Sequence, residues 1–153
     1  MVRNCTLKDE WDWLKLNKEF MEFEYQEENV WENPLEKGDM SDIFHKILND
    51  HNSPNRLFII EEAGRIIGFM NTTWFLSIWA HGKVLFLDDF FITREFRRQG
   101  YGKKAIEDLE LLIKSEGYVR LQLMAESTNP GAVRFYEKEN YSKQIINFFC
   151  KYI

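Results

Sequence analysis

The stretch from Lys83 to Ala125 constrains the fold of this chain more than any other part of the sequence. It begins with strand-forming residues, KVLFLDDFFI, and passes through a basic glycine loop into a helix with apolar residues on one side. Gly117 ends the helix, and the alternating segment RLQLMA follows as a second strand. A strand–helix–strand unit of this kind places its two strands parallel, joined by a right-handed crossover.

The segments around this unit predict a mixed α/β domain. The element order is β α α β β β α β α β β, which favours a mostly antiparallel sheet with one parallel pair and helices on both faces. No repeat or linker interrupts the chain, so we expect a single domain over residues 1–153. The flanking elements are a strand at Val2–Cys5, a helix capped by Thr6 or Asp9 and running to about Phe23, a helix from Ser41, two strands joined at Ala63–Gly64, a helix from Asn129–Pro130 through Glu139, and a closing hairpin of Tyr141–Gln144 and Phe148–Ile153.

Composition and charge exclude several classes of protein. The net charge is −5, whereas a general nucleic-acid binder is normally basic. Cys5 and Cys150 form no CxxC motif and no Cys/His cluster, so we expect neither a disulfide scaffold nor a metal site, and we expect both thiols in strands of the core. No apolar run approaches ~20 residues and no signal peptide is evident, so the sequence predicts a cytoplasmic protein without a membrane partner.

The loop before the crossover helix is the strongest local signal for a ligand. Glycines let a backbone approach a ligand closely and adopt unusual φ angles, and the N–H groups at a helix N-terminus attract an anion such as a pyrophosphate. The spacing fits neither GxxxxGK[ST] nor GxGxxG, and an ordinary basic strand-to-helix turn remains the alternative. The loop consists of Arg97, Arg98, Gln99, Gly100, Tyr101, Gly102 and Lys103.

Two motifs resemble those of the GNAT superfamily of N-acetyltransferases. The segment RRQGYG matches the signature [RQ]-x-x-G-x-[GA], with Arg97 at its first position. About thirty residues downstream, NPGAVRFYEKENY resembles the second motif of that family through Asn129, Ala132 and Tyr136. The resemblance covers nearly the whole chain. It implies the GNAT fold, with a splay between its two parallel strands, and an enzyme that transfers an acetyl group from acetyl-CoA without a metal.

Three further segments resemble the diamine and polyamine (spermidine/spermine) acetyltransferases within that superfamily. These are FEYQEENV, which begins at Phe23, FLDDFFI, which begins at Phe86, and the aromatic region around Trp74 to Lys83. Phe23 stands where those enzymes have a tyrosine, Asp88 stands where they have a glutamate, and the C-terminus is shorter. The resemblance implies a small cationic amine as acceptor and a homodimer that pairs through its C-terminal strands.

The resemblance also implies how acetyl-CoA would bind. Its pantetheine would pair with the strand at Phe90, Phe91 and Ile92, and its pyrophosphate would lie on the loop from Arg97 to Lys103. Asn129 would either contact the pantetheine or only cap the helix that follows it. Tyr136 would protonate the departing thiolate; without the motif, a core aromatic would be the simpler interpretation.

The acceptor site is predicted from carboxylates. Asp88 and Asp89 interrupt an apolar strand, and alternation should point them to opposite faces. By resemblance, Asp88 holds the acceptor ammonium and takes its proton through water; a structural salt bridge is the alternative. Phe23 and Glu24 belong to an acidic, aromatic segment running from Glu22 to Pro34, which suits a cation-binding wall, although such charge runs are usually solvated surface.

Other functions remain open at this stage. Within the same fold, the acceptor could be a thialysine-like amino acid, an aminoglycoside or a protein N-terminus. A protein of a different class, one that binds acyl-CoA without catalysis, is also consistent with the loop. An intact Tyr136 and Asp88 favour catalysis.

Overall fold

The computed structural model describes residues 1–25 and 30–153. Its nine helices and strands follow the first nine elements of the predicted order. They are β1 (Val2–Asn4), α1 (Glu10–Glu24), α2 (Ser41–Asn49), β2 (Asn55–Glu62), β3 (Arg65–Ser77), β4 (Gly82–Ile92), α3 (Tyr101–Ser115), β5 (Tyr118–Leu123) and α4 (Pro130–Lys138), with short 3-10 turns at Leu7–Asp9, Pro34–Glu36 and Arg94–Phe96. None of the helices in the described part of the chain is long and apolar enough to cross a bilayer.

The sheet has the mixed topology that the sequence predicts. Its strands lie in the order β1-β2-β3-β4-β5, and each neighbouring pair is antiparallel except β4 and β5, which are parallel. The β2–β3 turn is tight because Ala63 and Gly64 both take positive φ angles, 49° and 76°. Gly117, with φ of 80°, ends α3 as predicted.

Helices cover both faces of the sheet, and each face has its own core. On one face, α3 buries Ala105, Ile106, Leu109 and Ile113 against the sheet. On the other face, Trp13 and Leu16 of α1 and Phe44 of α2 pack on side chains of β2, β3 and β4. The three central strands, β2, β3 and β4, therefore contribute side chains to both apolar layers.

A β-bulge interrupts β4 at its pair of aspartates. Asp89 lies opposite Asn71 of β3 and Leu87 lies opposite Thr72, which leaves Asp88 as the extra residue. Leu87 packs in the α3 core and Phe91 packs in the α1 core, four residues later. The expectation that the two aspartates point to opposite faces is therefore wrong, because the extra residue shifts the alternation by one.

The parallel strands separate immediately beyond this bulge. Pairing between β4 and β5 ends where Leu87 meets Leu123, although β4 continues to Ile92. Among residues 1–25 and 30–153, no strand pairs with the edge of β4 that faces β5 from Asp88 onward. This wedge between β4 and β5 is the splay that the resemblance implies.

The predicted closing hairpin is wrong. Residues 141–153 contain no strand; instead the Phe148 ring packs on Trp31 at 5.1 Å, and the Tyr152 hydroxyl accepts a hydrogen bond from the Glu32 N–H at 2.8 Å. Cys5 is buried as expected, but Cys150 is exposed. A strand-forming sequence becomes a strand only when a neighbouring edge pairs with it, and this segment does not pair with β5.

Candidate active site

A cavity of about 510 Å3 opens at the wedge between β4 and β5. The C-terminal end of α1, the bulge of β4, the segment that follows β5 and the start of α4 form its walls. Its polar lining includes Glu24, Asp88, Asp89, Glu126, Asn129 and Tyr136. The fold thus brings these six polar residues together, although Glu24 and Tyr136 lie 112 positions apart in the chain.

The loop before α3 has the backbone geometry of an anion site. Arg98 and Gly100 take positive φ angles of 61° and 87°, and Gly100 is the N-cap of α3. The first N–H groups of α3 have no acceptor within the helix, so they can donate to a pyrophosphate. Gly102 lies inside α3 without a positive φ, so its expected unusual conformation is wrong. A Cβ at Gly102 would lie 3.5 Å from the Phe135 ring.

Arg97 does not extend toward that anion site. Its Nε donates to the Ile92 carbonyl at 2.8 Å, and its guanidinium lies 4.6 Å from the centre of the Phe23 ring and 5.0 Å from that of Phe91. The side chain therefore connects the loop to the end of α1. Phe23 is 60% exposed, stacks with Arg97 and does not line the cavity, so its substrate contact stays a prediction.

Arg98 is the cation of the loop that remains available for a ligand. Lys103 forms ion pairs with Glu107 and Glu139, both at 2.8 Å, and these raise its pKa. Arg98 is exposed and has no hydrogen-bond or ion-pair partner within residues 1–25 and 30–153. The backbone and Arg98, rather than three basic side chains, are therefore placed to meet a phosphate.

The two remaining side chains of the loop stabilise its conformation. Gln99 Nε2 donates to the Glu95 carbonyl at 2.7 Å. The Tyr101 ring meets the Phe96 ring edge-on at 5.7 Å. Their direct contact with a cofactor stays a prediction.

Asn129 caps α4 in the way that the sequence allowed. Its Oδ1 accepts the Ala132 N–H at 3.1 Å, and Pro130 occupies the first helical position. Asn129 also borders the cavity. Capping is therefore observed, and a pantetheine contact is a prediction compatible with it.

Tyr136 is held at the cavity by neighbouring aromatic rings. Its ring packs edge-on against Phe135 at 5.1 Å and Tyr141 at 5.5 Å between centroids. In the described residues its hydroxyl has no hydrogen-bond partner. Burial raises the pKa of the phenol, so the group stays protonated at neutral pH, as a proton donor must.

The carboxyl groups of the cavity are harder to ionise than free ones. Burial raises the pKa of Asp89 to about 6, and partial desolvation at the cavity mouth raises that of the exposed Asp88. Burial and the nearby Glu126 carboxylate raise the pKa of Glu24, while Arg97 partly offsets both effects. A multiply charged cation in the cavity would lower the pKa values of these carboxyl groups, because it favours the ionised form of every carboxyl group around it.

Glu126 lines the cavity although the sequence did not single it out. Of the acidic segment that the sequence did single out, only part lines the cavity as free carboxyl groups. Glu126 carries no motif; its only signal is its place just after the end of a parallel strand, where ligands of α/β sheets bind. In the segment after α1, Glu24 lines the cavity, whereas Glu32 pairs with Lys37 at the cavity rim. Glu27 and Glu28, which also belong to the predicted wall, lie outside the described residues.

No group of three or more metal-binding side chains occurs in the part of the chain that the structure describes.

Comparison with known proteins adds the decisive observation. The model of the Acetyltransferase (GNAT) family matches residues 11–141. The chain belongs to the GNAT family of acetyltransferases. It is an N-acetyltransferase that uses acetyl-CoA, and the residues at the wedge fit that cosubstrate through the free edge of β4 and the anion-binding loop.

Solved acetyltransferases share the fold of this enzyme at low sequence identity. An aminoglycoside acetyltransferase from an uncultured soil metagenomic sample, crystallised with sisomicin, is 17% identical, with a TM-score of 0.77 over 100% of this chain and 96% of that one. A possible acetyltransferase from Clostridium difficile 630 is 18% identical, with a TM-score of 0.79 and coverage of 100% and 97%. A ribosomal-protein-alanine N-acetyltransferase from Brucella melitensis biovar Abortus 2308 is 12% identical, with a TM-score of 0.76 and coverage of 99% of each chain. These likenesses establish the fold and leave the acceptor open.

Proposed function

We propose that this enzyme acetylates a primary amine of a small cationic acceptor, a diamine or polyamine, by direct attack in a ternary complex. The main support for this proposal is that four carboxyl groups line the cavity. They belong to Glu24, Glu126 and the two aspartates of the bulge, Asp88 and Asp89. The mutual repulsion of Glu24 and Glu126 supports an acceptor with more than one positive charge. An acidic cavity also speeds the capture of a cation.

Acetyl-CoA would bind along the wedge. Its pantetheine amides would pair with the free edge of β4 at residues 90–92, and its pyrophosphate would accept hydrogen bonds from the N–H groups at the start of α3, beside Arg98. The thioester supplies an acetyl group that is already activated, so no covalent enzyme intermediate is required. A backbone N–H of β4 would stabilise the oxyanion that develops on the thioester oxygen.

Side chains of the cavity would then take a proton from the acceptor amine and give one to the leaving thiolate. An aliphatic ammonium has a pKa near ~10 and must lose a proton before it attacks. Asp88, exposed at the cavity mouth, would hold the ammonium and accept its proton through water. Tyr136 would donate its hydroxyl proton to the departing thiolate; burial raises the pKa of the phenol and so keeps that proton in place at neutral pH until the thiolate forms.

A panel of acceptors tests the proposal directly. Purified enzyme and acetyl-CoA are mixed with a monoamine, a diamine and a polyamine of matched reach, a thialysine-like amino acid, an aminoglycoside and a peptide with a free N-terminus, and free thiol is measured. We expect the highest kcat/KM with the diamine or polyamine. A clear preference for another acceptor would replace this substrate class, and acetyl-CoA binding without turnover on any amine would favour an acyl-CoA-binding protein.

The same proposal includes a homodimer. Apolar side chains of the C-terminal segment are exposed in the single chain, and β5 is an edge strand with a groove of about 510 Å3 beside it. These side chains include Ile145, Ile146, Phe149 and Ile153. Pairing of C-terminal segments between two copies would cover them, and a monomer by light scattering at micromolar concentration would contradict it. We infer a cytoplasmic setting, where acetyl-CoA is supplied and thiols stay reduced.

A further inference from the structure

A partly buried chain of hydrogen bonds lies beside the cavity and connects α1 to β4. Asn71 of β3 stands at its centre: Nδ2 donates to Asp89 Oδ2 at 2.9 Å and to Asn17 Oδ1 at 2.8 Å, while Oδ1 accepts from Trp13 Nε1 at 2.9 Å. Asn17 Nδ2 donates in turn to the Trp13 carbonyl at 2.8 Å. Trp13 and Asn17 are 4% and 1% exposed, so this chain is shielded from water at its far end.

The chemistry of these partners allows only one orientation of the Asn71 amide. An indole N–H can only donate, so it must face the amide oxygen of Asn71. The NH2 group of Asn17 is used by a carbonyl, so Asn17 presents its oxygen to Asn71. Both N–H bonds of Asn71 are therefore committed, one of them to Asp89. A donor fixed in this way favours the ionised form of the carboxyl group that it contacts.

The bulge aims this restrained carboxylate into the cavity. Asp89 sits directly opposite Asn71 in the β3–β4 register and lines the cavity. Oδ2 is held by Asn71, and in the described residues Oδ1 has no hydrogen-bond partner. Asp88 is exposed, and no partner in the described part of the fold restrains it.

We propose that Asp89 takes the proton from the acceptor ammonium, and that Asn71, backed by Trp13 and Asn17, is the residue that positions it. The inference rests on the proposed amine acetylation and refines it: Asp88 then attracts and binds the cation, and the proton goes to Asp89. Preorganisation favours this division, because a carboxylate with one oxygen anchored presents the other in a single direction.

Each proton released in the reaction has a defined acceptor. One proton moves from the ammonium nitrogen to Asp89 Oδ1, which leaves a neutral amine and a carboxylic acid. The amine lone pair forms the N–C bond, the C–S bond of the thioester breaks, and the thiolate takes the Tyr136 proton. The second nitrogen proton restores the tyrosine, so one proton reaches water for each acetyl group transferred. Burial of the ion pair eases the first transfer, because desolvation disfavours both charged partners.

Other titratable groups face Asp89 across the cavity and must be separated from it experimentally. They are Glu24 and Tyr25 at the end of α1, Glu32 and Lys37 before α2, Asp88 on β4, Glu126 after β5, Tyr136 on α4 and Tyr152 near the C-terminus. Asp88 and Asn71 act on Asp89 in opposite directions: the Asp88 charge raises the pKa of Asp89, whereas the Asn71 hydrogen bond lowers it. Removing the Asp88 charge should therefore lower the pKa of Asp89, and removing the Asn71 hydrogen bond should raise it.

The kinetic test compares variants in which the new side chain has nearly the size of the original one. With acetyl-CoA and the best amine of the panel, kcat/KM is measured from pH 5 to pH 10 for the wild-type enzyme, Asp89→Asn, Asp88→Asn and Asn71→Leu. We expect an acidic limb near pH 6 in the wild-type enzyme, a shift of about one unit upward in Asn71→Leu and a downward shift in Asp88→Asn. Asp89→Asn should lower kcat ~10²-fold or more at unchanged acetyl-CoA affinity. A kcat loss confined to Asp88→Asn would overturn the assignment.

A second measurement does not depend on turnover. The carboxyl carbon of Asp89 is followed by NMR in 13C-labelled enzyme and identified by its loss in Asp89→Asn. We expect an apparent pKa near 6 that rises in Asn71→Leu, while melting temperature and acetyl-CoA affinity report on folding. An unchanged Asp89 titration in a folded Asn71→Leu would refute the positioning role. If no amine on the panel is acetylated, the proposed function and the proton-acceptor role fail together, and this titration still decides the role of Asn71.

Discussion

Lengthening the side chain at Gly102 tests how the enzyme binds acetyl-CoA. A Cβ at this position would lie 3.5 Å from Phe135 and 3.8 Å from Phe90, which is ordinary van der Waals contact. Gly102→Ala should therefore fit, and it should leave the stability of α3 nearly unchanged, because Gly102 is the second residue of that helix and not an interior one. Gly102→Leu carries three more carbon atoms into the same space. It must displace the Phe135 ring or project over the start of α3, where the pyrophosphate would lie.

The two variants should consequently differ in cofactor affinity rather than in folding. We expect Gly102→Leu to raise the Kd for acetyl-CoA at least about tenfold, which corresponds to 1.4 kcal/mol, while Gly102→Ala stays within about threefold of the wild-type value. Isothermal titration calorimetry measures both, and circular dichroism at 222 nm checks the fold. Wild-type affinity in a folded Gly102→Leu would refute the placement of acetyl-CoA on this loop.

Three other expectations follow from the described contacts. Tyr136→Phe should lower kcat ~10²–10⁴-fold with little change in acetyl-CoA affinity, and a loss below about threefold in steady-state kinetics would assign the proton donor elsewhere. Glu24→Gln should raise KM for a dication more than for a monocation of equal length, and Glu126→Gln should do the same; equal effects on both amines would make the pair ordinary surface charge. Asp9→Asn should cost about 2 kcal/mol of unfolding free energy, because the Asp9 carboxylate accepts two hydrogen bonds from Arg3 at 2.8 Å. The hydrogen bonds from Arg3 hold the pKa of Asp9 below its ordinary value, so this stability is present above about pH 4 and is lost on acidification. Urea titrations at pH 7 and pH 3 should therefore show a larger difference between wild type and Asp9→Asn at pH 7.

Local chemistry was sufficient to predict most of the fold. Periodicity and turn residues lie within one element or at its ends, so nine elements and their order could be read from the chain alone. The parallel β4–β5 pair followed from chain geometry, since a helix between two strands has to return across the sheet. The loop before α3 could be identified as a candidate anion site in the same way, because a loop and the helix that it opens are neighbours in sequence.

The proton chemistry of the site depended on contacts between distant residues. The bulge at Asp88 arises from the register of β4 against β3, and nothing in KVLFLDDFFI marks which aspartate is the extra one. Asn71 lies 58 positions from Trp13 and 18 from Asp89 along the chain, and only the packing of α1 on the sheet joins them. Glu126 likewise meets Glu24 only in the folded chain, where both line the same cavity.

The C-terminal segment shows most clearly the difference between what the residues favour locally and what the folded chain allows. Its composition favours a strand, and the sequence therefore predicted a hairpin. A strand, however, is stabilised by hydrogen bonds to a neighbouring edge, and the segment does not pair with β5 within the single chain. Propensity is a property of the residues themselves and can be read in order, whereas pairing, burial and the pKa of a carboxyl group belong to the surroundings that the folded chain creates.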